Sequence, residues 1–213
     1  MKLIIFAVSV KHGGWCVVGK NIDNSSQWFR LVRSESGSAL RENEIIVNVD
    51  EKNRRLEIGD VVIIDKIKKC PLPYQSENIL FNKMKFIEKR KCIDENFLDN
   101  ESTIFGDEEC YVESGKLKRN KSILLVKVSN LKIEYNEPSS PGEKPKTRAD
   151  FDYRSTHYSG FRVTDPNCRK TESIECAYIC ISLGEPFNPL KDGKKCWNVD
   201  RHYKIIAAVH KCQ

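Results

Sequence analysis

No apolar run in this 213-residue chain approaches the length needed to cross a bilayer as a helix. No glycine-rich loop runs into a Lys-Ser/Thr pair at a helix start, which excludes the phosphate loop of nucleotide hydrolases. No Ser-His-Asp or Cys-His grouping stands in a recognisable local context, so nucleophilic catalysis lacks an evident set of actors. Histidine is scarce, with four residues. The start Met1-Lys2 meets Lys11 and His12 without the small-residue cleavage pattern of a secretory signal. The nine cysteines are therefore expected as reduced thiols of a cytoplasmic protein rather than as a disulfide framework.

What the chain does have is charge, and a period of two. Lys and Arg number 36 against 30 Asp and Glu, a net charge of +6. That balance suits a phosphate-bearing partner but does not demand one. Apolar and polar residues alternate, or run as short apolar blocks, over 2–10, 15–20, 27–33, 45–49, 56–69 and 84–90. Five or six short strands within about 90 residues suit a small barrel of the OB or SH3-like kind. Residues 93–121 turn acidic and then cationic, and predict a connection with one short helix capped by Asp94. Strand texture returns at 122–134, at 148–164 with a hairpin near Ser155-Thr156-His157, at 176–182 and at 202–210. The expectation is an all-β protein of two OB-like small barrels in tandem: 1–92, a charged connection 93–121, and 122–213.

The densest chemistry lies near the amino terminus. In Lys11-His12-Gly13-Gly14-Trp15 and the following Lys20, glycines would let a backbone approach an anion and cations would answer it. The same Gly-Gly pair is equally a plain hairpin turn. In the segment QWFRLVR, Trp28 and Arg30 share one strand face, while Phe29, Leu31 and Arg33 share the other. Both faces mix apolar and charged groups, so alternation alone leaves the inward face open. Trp15 and Trp28 could stack on bases and the arginines contact a nucleic-acid backbone, although Trp28 could as well pack in a core.

Metal and catalytic alternatives are thinner. Cys168, Cys176, Cys180, Cys196 and His202 gather in the second half, but Cys176 and Cys180 would lie well apart along one strand, and buried thiols explain them better than zinc. Asp150 and Asp152 share a strand face and could hold a divalent ion with a third carboxylate; solvated aspartates are the plainer reading. No metal, cofactor or catalytic residue is assigned.

The order of KHGGWCVVGK, WFRLVR, FRVTDP at 161–166, YICISLGEPF at 178–187 and YKIIAAVH at 203–210 resembles the prokaryotic dual-OB domain family. The resemblance spans nearly the whole chain. Two departures stand out: Trp15 occupies a place where the family suggests a cation, and Leu31 one where it suggests proline. The resemblance implies two OB-like barrels and contact with nucleic acid.

The combined expectation is a non-catalytic protein that binds nucleic acid, single-stranded by preference, and no membrane. Its site would comprise Lys11, His12, Gly13, Gly14, Trp15, Lys20, Trp28, Arg30 and Arg33, helped by Lys118 and Arg119 in the cationic connection. Two alternatives are a protein-interaction or scaffold module of a defence or mobile-element system, and a metal-dependent enzyme acting on nucleic acid.

Overall fold

The computed structural model describes residues 1–117, 121–138, 140, 142–143, 145–191 and 193–212. Its first half contains β1 (Lys2–Lys11), β2 (Gly14–Asn21), β3 (Asn24–Leu31), β4 (Ile46–Val49), β5 (Lys52–Arg55), β6 (Asp60–Asp65), β7 (Lys68–Lys69), β8 (Asn78–Leu80) and β9 (Lys83–Lys89). Its second half contains β10 (Tyr111–Glu113), β11 (Ile123–Asn136), β12 (Lys146–Tyr153), β13 (Thr156–Val163), β14 (Glu172–Phe187), β15 (Leu190–Lys191), β16 (Lys194–Lys195) and β17 (Arg201–Lys211). The connection forms two single turns of 3₁₀ helix, Glu95–Phe97 and Ser114–Lys116. Asp94 caps the first by accepting a hydrogen bond from the Asn96 amide at 2.9 Å, as an aspartate before a helical turn should. The connection also lends β10 to the second sheet, beside β17.

In the second half the sheet closes on itself. The circuit runs β11–β12–β13–β17–β14 and back to β11, antiparallel throughout except for the parallel pair β13–β17. This is a five-stranded barrel of the OB kind. The first half follows the same path with its last strand broken. Strand β8 pairs in parallel with β3, and β9 pairs antiparallel with β6. Both are parts of one stretch interrupted at Phe81-Asn82, so the sheet curls toward closure from its two ends.

Strand alternation places an apolar set inside each barrel. Leu3, Ile5, Val17, Phe29, Leu31 and Val62 fill the first, and Leu124, Val126, Phe151, Tyr158, Phe161 and Ile179 the second. The residues between them point the other way, as the two-residue pleat requires. On the first barrel these include Ile4, Phe6, Val18 and Trp28; on the second, Ile123, Leu125, Cys180 and Ala208. They form a third buried cluster, closed at one side by Phe97 of the connection. The barrels are thus joined outer face to outer face through a dry core.

One pair of cysteines departs from the expectation of reduced thiols. Cys176 of β14 and Cys212, just beyond β17, form a disulfide between adjacent strands, with Cα atoms 5.5 Å apart. Cys168 and Cys180 are free and buried, one in the second barrel and one in the seam. Burial pushes the Cys168 thiol up to about 12.

Candidate nucleic-acid interface

The outer face of β2 and β3, where an OB barrel commonly takes its ligand, is the face that the first barrel presses against the second. Three residues expected to meet nucleic acid are enclosed there: Lys20, Trp28 and Arg30 are 1%, 5% and 2% exposed. Trp28 and Arg30 share a face, as alternation has it, and that face points out of their own barrel, where the second barrel covers them.

Each has a structural partner instead. Lys20 Nζ donates to the Phe97 carbonyl at 2.7 Å and to Asp99 Oδ1 at 3.0 Å. Burial lowers its pKa, against the opposing pull of Asp99. Trp28 Nε1 donates to Asp99 Oδ2 at 3.0 Å, and the Leu125 amide donates to the same oxygen at 2.8 Å. One carboxylate from the connection therefore ties β2 and β3 to β11. Arg30 reaches across the seam, its Nη1 donating to Cys16 Sγ and Ser182 Oγ (both 3.1 Å) and its Nη2 to Ser122 Oγ at 3.0 Å.

The expected Gly13-Gly14 turn is a tight hairpin between β1 and β2 whose loop residues are His12 and Gly13, both with positive φ, while Gly14 already pairs with Lys11. Gly14 lies against the backbone of Leu40, where an added Cβ would come within 2.6 Å of the carbonyl oxygen. Trp15 is half-buried and not an open platform: its Nε1 donates to Glu42 Oε2 at 2.7 Å, and the Arg55 guanidinium sits 4.6 Å from its ring centroid. Lys11 and His12 remain at the surface side of the seam. Lys11 Nζ pairs with Glu185 Oε1 at 2.8 Å, and His12 Nε2 with Glu185 Oε2 at 3.2 Å. Burial opposes ionisation of Glu185, but Lys11 and then His12 hold its carboxyl below the usual range. Arg33 is exposed and forms no ion pair among the described residues. Lys118 and Arg119 lie outside the described residues.

A second set of residues, absent from the expected site, emerges on the second barrel. There the corresponding strands β12 and β13 remain uncovered. Arg148 and Arg162 face one another directly across this pair, both exposed. Like charges in that position repel; neither arginine has an ion pair among the described residues, and Glu134 of β11 stands opposite Arg148 on its other side. Arg148 Nη1 donates only to the Gly160 carbonyl, at 3.0 Å. Where this open face meets the docked first barrel there is a cleft of about 480 Å³. It is lined by Lys11, His12, Arg30, Arg148, Arg162, Glu185, Phe187 and Tyr203, among others. Phe187 is 50% exposed and lies 6.1 Å, centroid to centroid, from both Tyr203 and Trp197. A shallower hollow holding Arg33 and Arg41 adjoins the cleft, sharing Lys11, His12 and Glu185 with it. Alternation in RADFDY and FRV carried the signal for Arg148 and Arg162, since both fall opposite the core residues Phe151 and Phe161.

Several of the residues considered for metal are otherwise engaged. The Gly160 amide donates to Asp150 Oδ1, while Asp152 binds the Asn130 amide and His157 Nδ1. His202 is buried between the Gly184 carbonyl and Ser114 Oγ. Among the described residues no three His, Cys, Asp or Glu side chains cluster as metal ligands. No helix among them is long and apolar enough to cross a membrane.

Two OB-type circuits fused through one core account for the near full-length family match: the model of the dual OB-containing domain matches residues 1–209. The chain belongs to that family. No curated protein and no solved structure gives a significant match. Within this dual OB protein, then, the two barrels are not equivalent. One spends its β2–β3 face on the partner barrel, and the other keeps the corresponding face free.

Proposed function

We propose that this dual OB protein binds nucleic acid, single strands in particular, without catalysing a reaction. The binding face is that of β12 and β13, continued across the inter-barrel cleft to Lys11, His12, the Gly13-Gly14 turn and Arg33. The observation that carries this reading is the Arg148–Arg162 pair. Two arginines held opposite one another, neither of them in an ion pair among the described residues and with Glu134 opposite Arg148 on its other side, raise the local potential where a polyanion gains most. Phe187 and Tyr203, beside them on the cleft wall, supply the flat faces on which unpaired bases stack.

Fluorescence polarisation with single- and double-stranded DNA and RNA oligonucleotides across a salt series tests it. For single strands log affinity should fall with log salt by about 0.7 per phosphate contacted. Arg162→Ala should weaken binding and reduce that slope by about one contact. Affinity indifferent to salt and to both Arg148→Ala and Arg162→Ala would reject the reading. It would favour a protein-interaction module, for which the exposed Phe187, Leu190 and Val199 offer apolar surface.

A further inference from the structure

An arginine keeps its proton at any physiological pH, and burying its charge without a counter-ion is strongly unfavourable. Arg30 is in that position. Its contacts are two hydroxyls and a thiol, its Nε has no partner, and it has no ion pair among the described residues. The Glu77 carboxylate meets the guanidinium through Ser122, whose hydroxyl donates to Glu77 Oε2 at 2.7 Å, while the Arg30 backbone amide donates to the Glu77 carbonyl at 3.0 Å. Arg30, Cys16 and Ser182 are all buried and all line the inter-barrel cleft, so they form its floor. Above them stand Lys11, Arg148 and Arg162, and among the described residues Glu185 is the one carboxylate in the lining. Glu185 is already shared between Lys11 and His12.

The sheet register shows how these charges converge. Arg148 is opposite Arg162, Arg162 is opposite Ile205, and Ile205 is opposite Ser182, the acceptor of Arg30. All four lie in one row on the outer face. Adjacent strands are about 4.8 Å apart, so two steps put the Arg162 backbone about 10 Å from that of Ser182. A small anion between them would meet guanidinium groups from both barrels.

We propose that the cleft is a receptor for a phosphate monoester on a nucleoside, with Arg30 at its floor and Arg148 and Arg162 at its mouth. The inference rests on the nucleic-acid reading above and specifies which part of the ligand enters. An internal phosphodiester carries one charge and is flanked by sugars on both sides. A terminal monoester carries nearly two charges at neutral pH and exposes three oxygens, so it alone can descend to a buried guanidinium. The attached nucleoside then lies against Phe187 and Tyr203. A strand end and a free mononucleotide share this chemistry.

The test compares short oligonucleotides of one sequence ending in 5′-phosphate, 3′-phosphate or hydroxyls only, with a nucleoside and its monophosphate as competitors. One phosphorylated end should bind about tenfold tighter than the hydroxyl form, and the monophosphate but not the nucleoside should compete. Arg162→Ala, a surface change whose folding is checked by circular dichroism, should erase the preference. Arg30→Lys, which keeps the charge, should reduce it. Equal binding of phosphorylated and hydroxyl ends with retained salt dependence overturns this inference and leaves the strand-binding face standing. Calorimetric binding of the monophosphate without binding of any oligonucleotide supports the monoester site and overturns the strand reading. A preference untouched by Arg162→Ala overturns the assignment to this cleft.

Discussion

Asp99→Ala should be the most damaging single change at the seam. The Asp99 side chain is 6% exposed and balances Lys20, itself 1% exposed, with Lys121 3.2 Å away as a second cation. Its Oδ2 also receives the Trp28 indole and the Leu125 amide. Removing one partner of a buried ion pair costs about 3–5 kcal/mol, because the other charge is left stranded. Each orphaned buried donor costs about 1–3 kcal/mol by itself. These losses overlap, since Lys20 keeps the Phe97 carbonyl and water can reach Lys121, so a total of about 4 kcal/mol is expected. At about 2–4 °C per kcal/mol for a chain of this size, the melting midpoint should fall by about 8–16 °C. Calorimetry together with Trp fluorescence should report it, because Trp28 touches the altered carboxylate. The double variant Lys20→Met/Asp99→Ala should recover part of the loss by removing the stranded cation. A shift below about 2 °C for Asp99→Ala, or no recovery in the double variant, would refute the view that this carboxylate fastens the two barrels together.

The seam and the second barrel carry three further expectations. His210 Nε2 donates to the Phe6 carbonyl across the seam, and burial lowers its pKa below 6.5. Stability held by the neutral ring is therefore present above pH 6.5 and lost as pH falls through the lowered folded value. Urea midpoints should drop over that window, and His210→Gln should flatten the drop. Asp165, pushed up from 3.8 by burial against the pull of the Asn167 and Val209 amides and of His210, contributes in the opposite sense, fully below 3.8 and lost as pH rises through its raised value. The Cys176–Cys212 bridge closes a loop with a sequence separation of 36, worth about 4 kcal/mol in the chain-entropy account. Dithiothreitol should lower the urea midpoint of the native protein and leave that of Cys176→Ser unchanged. Phe151→Ala, which removes a ring stacked on Tyr158 and set edge-on to Phe161, should cost about 3–5 kcal/mol, read from the same urea curves.

The strands are legible in the sequence because a period of two is a local property. Alternation in QWFRLVR by itself separates Phe29 and Leu31 from Trp28 and Arg30. What the pattern does not carry is the fate of the second face. A strand that is amphipathic within its own barrel looks solvent-bound in sequence, and nothing near Trp28 announces that Ile123, Leu125 and Ala208, about a hundred residues and more away, will cover it. The same holds for charge. Lys20 and Arg30 read as surface cations because buried ones are rare, while their partners Asp99, Ser122 and Ser182 lie far along the chain. Arg148 and Arg162 sit in a hairpin that the pattern predicts, but only cross-strand register reveals that they meet. The bridge between Cys176 and Cys212 is hidden for that reason too, its ends coming together only when β14 and β17 pair.

The way the barrels are fused bears on how much nucleic acid one molecule would cover under the proposed function. A tandem of two OB modules suggests two footprints laid end to end, and a doubled occluded length on a long strand. Here the first module's β2–β3 face is glued to its neighbour, so under the proposed function one such face remains, extended only by the first barrel's rim at Lys11 and Arg33, and the footprint should stay within that of a single OB unit, about 4–16 nucleotides. Saturation of a long homopolymer would then pack the molecules at the spacing of a one-barrel protein, despite a mass of two.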